Sequence, residues 1–164
     1  MRTTKPRRVY WDSCIFIDAI QQTPSLSDTL RQIIADARAG TAQIITSTFT
    51  LAEVIGSKDA ASRNPALEST IRELFNHRYI VLRPVDKHIA EQARQIARDN
   101  GLKPADAIHV ATAIESEVQV MHTRDGMSGR RGLLPCNGKI GAPPLCIENP
   151  TWAKQLKLPG DGDD

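Results

Sequence analysis

Two hydrophobic rhythms alternate along this chain. Short, nearly unbroken apolar runs, "RVYW", "AQIITS", "YIVLRPV" and "VQVMHT", are rich in β-branched and aromatic residues and predict four strands. Between them the apolar residues recur at helical spacing. In "SLSDTLRQIIADARAG" they are Leu26, Leu30, Ile33, Ile34 and Ala37, with Gly40 as the stop. "TFTLAEVIG" predicts a short helix, and "PALESTIRELFNHR" a longer one that opens after Asn64 with Pro65 near its first position. In "DKHIAEQARQIARDNG", Asp86 is placed to cap the start, Ile89, Ala93 and Ile96 form the apolar stripe, and Gly101 ends the helix. "KPADAIHVATAIESE" buries Ala107, Val110, Ala111 and Ile114, and "LCIEN" predicts a short last strand. Strands that alternate with helices belong in a parallel sheet covered on both faces, an α/β fold with right-handed crossovers. In such a sheet the ligand site lies beyond the carboxyl ends of the strands, where the strand order reverses.

The chain has 164 residues, enough for one domain with a substantial core. The predicted elements place that domain at residues 1–150, with a loosely held end at 151–164 that finishes in "PGDGDD". A hydrophobic fraction of 40% beside 24% charged residues fits a soluble globular protein. The net charge is only +2, which excludes a global basic field, although Arg124, Arg130 and Arg131 bunch late in the chain. Three scattered cysteines, Cys14, Cys136 and Cys146, match neither a disulfide framework nor zinc spacing and point to a reducing cytoplasm. Asp12 and Asp18 interrupt the apolar stretch after the basic start, so it makes no signal-peptide core, and no apolar run is long enough to span a membrane.

Four acids change the picture. Asp12 follows the first predicted strand and Asp125 the fourth, so both belong at the carboxyl edge of the sheet. Asp106 lies in the first turn of its helix and Glu53 in the helix after the second strand. Singly, each has an ordinary role: turn residues for Asp12 and Asp125, helix-dipole partner for Asp106, capping box with Thr50 for Glu53. Jointly they converge on one crevice, and three sit in apolar surroundings ("VYWDSCIFI", "LAEVI", "ADAIHVA") where unpaired ionised groups are costly. Crowded carboxylates need a cation, and an oxygen-only donor set selects Mg²⁺ or Mn²⁺. Such ions activate water and stabilise phosphoryl oxygens, which points to phosphodiester hydrolysis.

The pieces "VYWDSCIFI", "TSTFTLAEV", "LKPADAIHVATA" and "HTRDGM", in that order from about Val9 to Gly126, resemble the PIN-domain nucleases, in particular the VapC-type toxins of toxin–antitoxin pairs. The resemblance implies a three-layer α/β/α sandwich and a Mg²⁺- or Mn²⁺-dependent endoribonuclease. It also implies that Asp12, Glu53, Asp106 and Asp125 form a metal-binding catalytic cluster. Thr123 matches a hydroxyl that often stands two residues before the last acid, and Ser47 or Thr46 supplies the one near the end of the second strand. An RNA substrate, an antitoxin partner and homodimerisation follow from the same resemblance. Tyr10 and Trp11 depart from it, since aliphatic residues are commoner there, and so does the long Gly/Pro-rich segment after Gly126.

On this reading Asp12, Asp106 and Asp125 bind the principal ion, and Glu53 orients the attacking water or holds a second ion. Arg124, Arg130 and Arg131 are the candidates for RNA phosphate contact. His109, three residues after Asp106, is a marginal candidate for the site, and His122 a structural residue. Asp18 reads as a solvated or capping residue. Haloacid-dehalogenase-like phosphatases require a second Asp two positions after the first, where this chain has Cys14, and receiver domains require an acidic pair that "YWDSC" lacks. The remaining alternative is a PIN-like module that grips RNA or a protein without cutting.

Overall fold

The computed structural model describes residues 5–22, 27–56, 63–127, 129 and 131–150. The strands are β1 (Arg7–Trp11), β2 (Ala42–Ser47), β3 (Ile80–Arg83), β4 (Val120–His122) and β5 (Ile147–Glu148). The helices are α1 (Ser13–Gln21), α2 (Ser27–Arg38), α3 (Phe49–Glu53), α4 (Pro65–Asn76), α5 (Lys87–Asn100) and α6 (Pro104–Glu115), with a 3₁₀ turn at Leu134–Cys136. The strands form one parallel sheet in the order β3-β2-β1-β4-β5. The expected α/β/α sandwich is therefore the fold found.

Strand periodicity explains the layers. In β1, Val9 and Trp11 point to one face and Tyr10 to the other. The first face packs on Ile15 and Phe16 of α1, Leu30 and Ile33 of α2, and Ile71 and Phe75 of α4. There the Phe16 ring lies edge-on to Trp11 at 5.4 Å and against Phe75 at 4.8 Å. The second face packs Tyr10, Ile45, Met121 and Ile147 on Val110 and Ala113 of α6. Leu133, Ile140 and Leu145 complete this layer from the segment after β4. Burial on both faces is why the strands read as continuous apolar runs rather than alternating ones. Helix α5 packs on α6 through Ile89, Ala93, Ala107 and Ala111, and the three alanines allow close approach.

The caps of α4 and α5 form as expected. Asn64 accepts from the Ala66 amide, Asp86 accepts from the Ile89 amide, and Gly101 closes α5 at φ +64°. One helix has no counterpart in the sequence reading. Residues 13–21, "SCIFIDAIQ", form α1, and their apolar positions cover too much of the helix circumference to show a helical stripe. Asp12 caps this helix with an extended backbone at φ −80° and ψ 177°. The predicted end at 151–164 lies outside the described residues.

The sheet order reverses at β1, whose neighbours β2 and β4 lie on opposite sides. Asp12 leaves β1 at this switch point, and Asp125 follows β4 directly beside it. No helix among the described residues is long and apolar enough to cross a membrane.

Candidate functional site

Asp12 caps α1 and is one of the four candidate carboxylates. Its side chain is buried, with 4% exposure. Oδ1 accepts from the Ile15 amide at 3.3 Å and from the Cys14 thiol at 2.8 Å, and Oδ2 accepts from the Thr123 hydroxyl. Burial pushes the Asp12 pKa up, while the hydrogen bonds from Cys14, Thr123 and Ile15 pull it the other way without cancelling the effect. Thr123 joins two acids, because its oxygen also accepts from the Asp125 amide at 3.0 Å. The Cys14 thiol is pushed well above its usual range by burial and by Asp12, so it stays protonated and donates.

Asp125 is held by the segment that folds back after it. Its Oδ2 accepts from the Leu133 amide at 3.0 Å and its carbonyl from the Leu134 amide at 3.0 Å. Asp106, half-buried in the first turn of α6, has its pKa raised by burial and then by the charge of Asp125. Asp12 adds to that rise, and Lys103 and His109 oppose it. The ends of β1 and β4 and the start of α6 thus bring three acids within one electrostatic field.

Glu53 reaches the same region differently. It makes no capping box: Thr50 bonds the Thr46 hydroxyl at 2.7 Å, and Glu53 Oε2 meets His109 Nε2 at 2.7 Å. His109 therefore contacts one of the four candidate acids, as its marginal candidacy in the sequence allowed. The available signal was its place three residues after Asp106, on the same helical face. Ser47 is fully buried, and its hydroxyl accepts from the Phe49 amide at 3.1 Å, supporting the turn into α3. Thr46 donates to the Trp11 carbonyl at 2.7 Å, next to Asp12. His122 accepts from the Trp11 indole at 3.2 Å and, pushed down to about 3 by burial and secondarily by Arg7, is neutral at physiological pH.

The arginines divide. Arg124 pairs with Asp18 at 2.8 Å, and Asp18 is buried rather than solvated as expected. Arg131 is exposed, and Arg130 lies outside the described residues. Arg124→Ala takes the guanidinium away from a buried carboxylate and is expected to cost about 2 kcal/mol in urea unfolding, less than a fully buried pair because the guanidinium is partly solvated. Adding Asp18→Asn should recover most of the loss; an unaltered midpoint in the single variant would refute this role.

The donor chemistry fits a hard divalent cation. All four acids and the nearby hydroxyls offer oxygen, and the raised pKa values of Asp12 and Asp106 mark carboxylates short of positive charge. Among the described residues, no three acidic, histidine or cysteine groups already converge on one ligating point. The fit thus rests on donor type and charge rather than on a finished coordination shell.

Comparison with known proteins agrees with this fold. The PIN domain family model matches residues 9–130. Among solved structures, the chain is similar to a toxin–antitoxin complex from Klebsiella pneumoniae, with TM-score 0.58 and 20% identity over 81% of this chain and 96% of that one. It is also similar to VapBC2 from Rickettsia felis, solved bound to a DNA fragment from their promoter, with TM-score 0.55 and 18% identity over 87% and 98%. A third similar structure is Mycobacterium tuberculosis VapC20, described as a sarcin–ricin loop cleaving toxin, with TM-score 0.57 and 15% identity over 72% and 90%. No curated protein sequence matches the chain.

Proposed function

The chain belongs to the PIN-domain family, and from that premise we propose that it is a metal-dependent endoribonuclease acting as the toxin of a toxin–antitoxin pair. The observation that carries the reading is that Asp125 and Asp12 lie near enough for their charges to act on Asp106, beside the reversal of strand order, and that burial raises the pKa of both Asp12 and Asp106. A fold has no use for this charge crowding; a cation site does.

Asp12, Asp106 and Asp125 would hold Mg²⁺ or Mn²⁺, with Glu53 completing the cluster. The ion, when bound, supplies neutralising charge and Lewis acidity at a phosphoryl oxygen. The chain's own residues do the remaining work. Thr123 fixes the spacing of Asp12 and Asp125 through its two hydrogen bonds. The Leu133 amide occupies one lone pair of Asp125 Oδ2 and so orients that carboxylate. Glu53 accepts from His109 through Oε2, leaving Oε1 to orient a water or a second ion. Arg131, and Arg130 beside it in the sequence, would meet RNA phosphates at the mouth.

A groove of about 910 Å³ lies between α3 and α4, where apolar Leu51, Ile55 and Phe75 stand beside charged Arg63, Glu68 and Arg72. Leu51 and Ile55 are 45% and 44% exposed, unusual for residues of their size. A smaller pocket of about 210 Å³ carries the apolar lining to Glu53. This surface suits an antitoxin segment that covers the site. We also assign homodimerisation and a cytoplasmic location to the proposed toxin.

Purified protein incubated with total cellular RNA is expected to give discrete cuts with Mg²⁺ or Mn²⁺ and none with a chelator. Saturating ion, at about 100 times its Kd, should stabilise the fold by about 2.7 kcal/mol and raise Tm by several degrees. Metal-independent cleavage, or an unchanged Tm at every ion concentration, would remove the assignment.

A further inference from the structure

Tyr10, His109 and Glu53 form one hydrogen-bonded line that the four-acid reading leaves unused. The Ser47 amide donates to the Tyr10 hydroxyl at 3.2 Å. The Tyr10 hydroxyl meets His109 Nδ1 at 2.7 Å, and His109 Nε2 meets Glu53 Oε2 at 2.7 Å. Tyr10 is fully buried and His109 is 2% exposed, so water does not compete for the Tyr10–His109 bond, while the Glu53 end of the line is partly open to solvent. Rings hold the imidazole on two sides: Tyr10 at 5.9 Å and 67°, and Phe49 at 6.0 Å and 61°. The imidazole cannot turn without losing both hydrogen bonds.

We propose that Tyr10 and His109 are positioning residues that fix the Glu53 carboxylate at the active site. The bonding sense follows from the donors available. The Ser47 amide can only donate, so it occupies a lone pair of the Tyr10 oxygen. The Glu53 carboxylate only accepts, so Nε2 carries a proton toward it, and on this proposal the phenol hydrogen goes to Nδ1. Strand β1, through Tyr10, and helix α6, through His109, thereby set the orientation of a carboxylate on the five-residue helix α3. A helix this short has little stiffness of its own. Tyr10 also explains its own departure from the aliphatic pattern: the hydroxyl is needed because a histidine occupies position 109 of α6. Sulfur and aliphatic side chains at position 10 would leave Nδ1 without its donor.

The inference rests on the nuclease reading for the role of Glu53, and its test separates the two. Histidine ¹⁵N spectra of the metal-free protein report the bonds directly. The wild type should show His109 with its proton on Nε2 and Nδ1 accepting. Tyr10→Phe should move the Nδ1 resonance toward that of an imidazole nitrogen without a donor. In parallel, cleavage and Mn²⁺ affinity are measured for wild type, Tyr10→Phe, His109→Leu and His109→Gln. His109→Leu should lose roughly 10- to 100-fold in kcat or ion affinity, the usual cost of removing a group that orients a ligand. KM for RNA should stay within about twofold, because His109 is shielded from substrate by its burial. His109→Gln, whose amide can still donate to Glu53, should recover most of the loss, which a purely structural role would not predict. Identical His109 spectra in wild type and Tyr10→Phe, or a His109→Leu protein equal to wild type in both cleavage and ion affinity, would overturn the proposal. If the wild type neither cuts RNA nor binds Mn²⁺, the nuclease reading fails, and the spectra alone then decide whether the line of bonds exists.

Discussion

Asp12→Asn is expected to lower RNA cleavage by about 1000-fold or more while making the metal-free protein more stable at neutral pH. The activity loss corresponds to the several kcal/mol that charge neutralisation at a phosphoryl centre contributes to catalysis. The stability gain follows from the direction of the Asp12 shift. Burial raises its folded-state pKa above the ordinary 3.8, so the folded protein binds this proton more tightly than the unfolded chain. Wild-type stability conferred by protonated Asp12 is full below 3.8 and is lost as pH climbs through the raised folded value. Above that value the buried charge is a constant cost. Asn removes the cost and keeps the cap, because its carbonyl oxygen can still accept from the Ile15 amide. A gain of about 1 kcal/mol is the expected size for relieving one destabilised functional residue. Chemical unfolding of both proteins with chelator at a series of pH values checks the sign. The two curves should approach each other toward acid pH and separate above the ordinary carboxylate range. A variant that is less stable than wild type at neutral pH would contradict the burial argument, and one that still cuts RNA normally would remove Asp12 from catalysis.

Gly132→Ala should cost about 3 kcal/mol of stability and reduce cleavage at least tenfold, although residue 132 supplies no side chain to the site. Gly132 has φ +114°, a region that disfavours any side chain, at roughly 1–3 kcal/mol. A Cβ there would also lie 2.7 Å from the Gly126 amide nitrogen and 2.8 Å from Asp125 Oδ2. Gly126, itself at φ +92°, approaches so closely that neither backbone can yield without moving the other. The methyl group must therefore displace the carboxylate or open the loop whose Leu133 amide orients it. A matched control is Gly40→Ala. Gly40 has φ +79° but open space around its Cβ position, so this variant should show backbone strain of about 1 kcal/mol without loss of activity. Equal effects from the two substitutions would show that strain alone acts and that the contact with Asp125 carries nothing.

Much of the architecture was readable because helices and strands announce themselves through local periodicity. Strands β1 to β4, the caps Asn64 and Asp86 and the stop Gly101 all follow from residue type and spacing. Helix α1 did not announce itself. A helix wedged between the sheet and its neighbours is apolar on several sides, which erases the stripe that periodicity detects. Asp12 was legible as a residue past a strand, yet the question of cap or site had no sequence answer; one oxygen caps α1 while the other meets Thr123. Asp18 looked solvated because its partner, Arg124, stands 106 positions away in the chain.

The sequence by itself determined which residues can serve: the order of strands and helices, and four acids placed at their ends. Those properties depend on neighbours within a few positions, where covalent geometry and side-chain period act. Only the tertiary structure decided what each acid faces. It closed 111 residues between Asp12 and Thr123, 56 between Glu53 and His109, and 99 between Tyr10 and His109. It also wrapped the segment after β4 so that two glycines meet beside Asp125. Contacts of this kind depend on the sheet order and on how the crossovers pack, which no local pattern encodes. Burial then set the energetics: a carboxylate is only an acid in the sequence, and its charge becomes costly when the fold removes it from water.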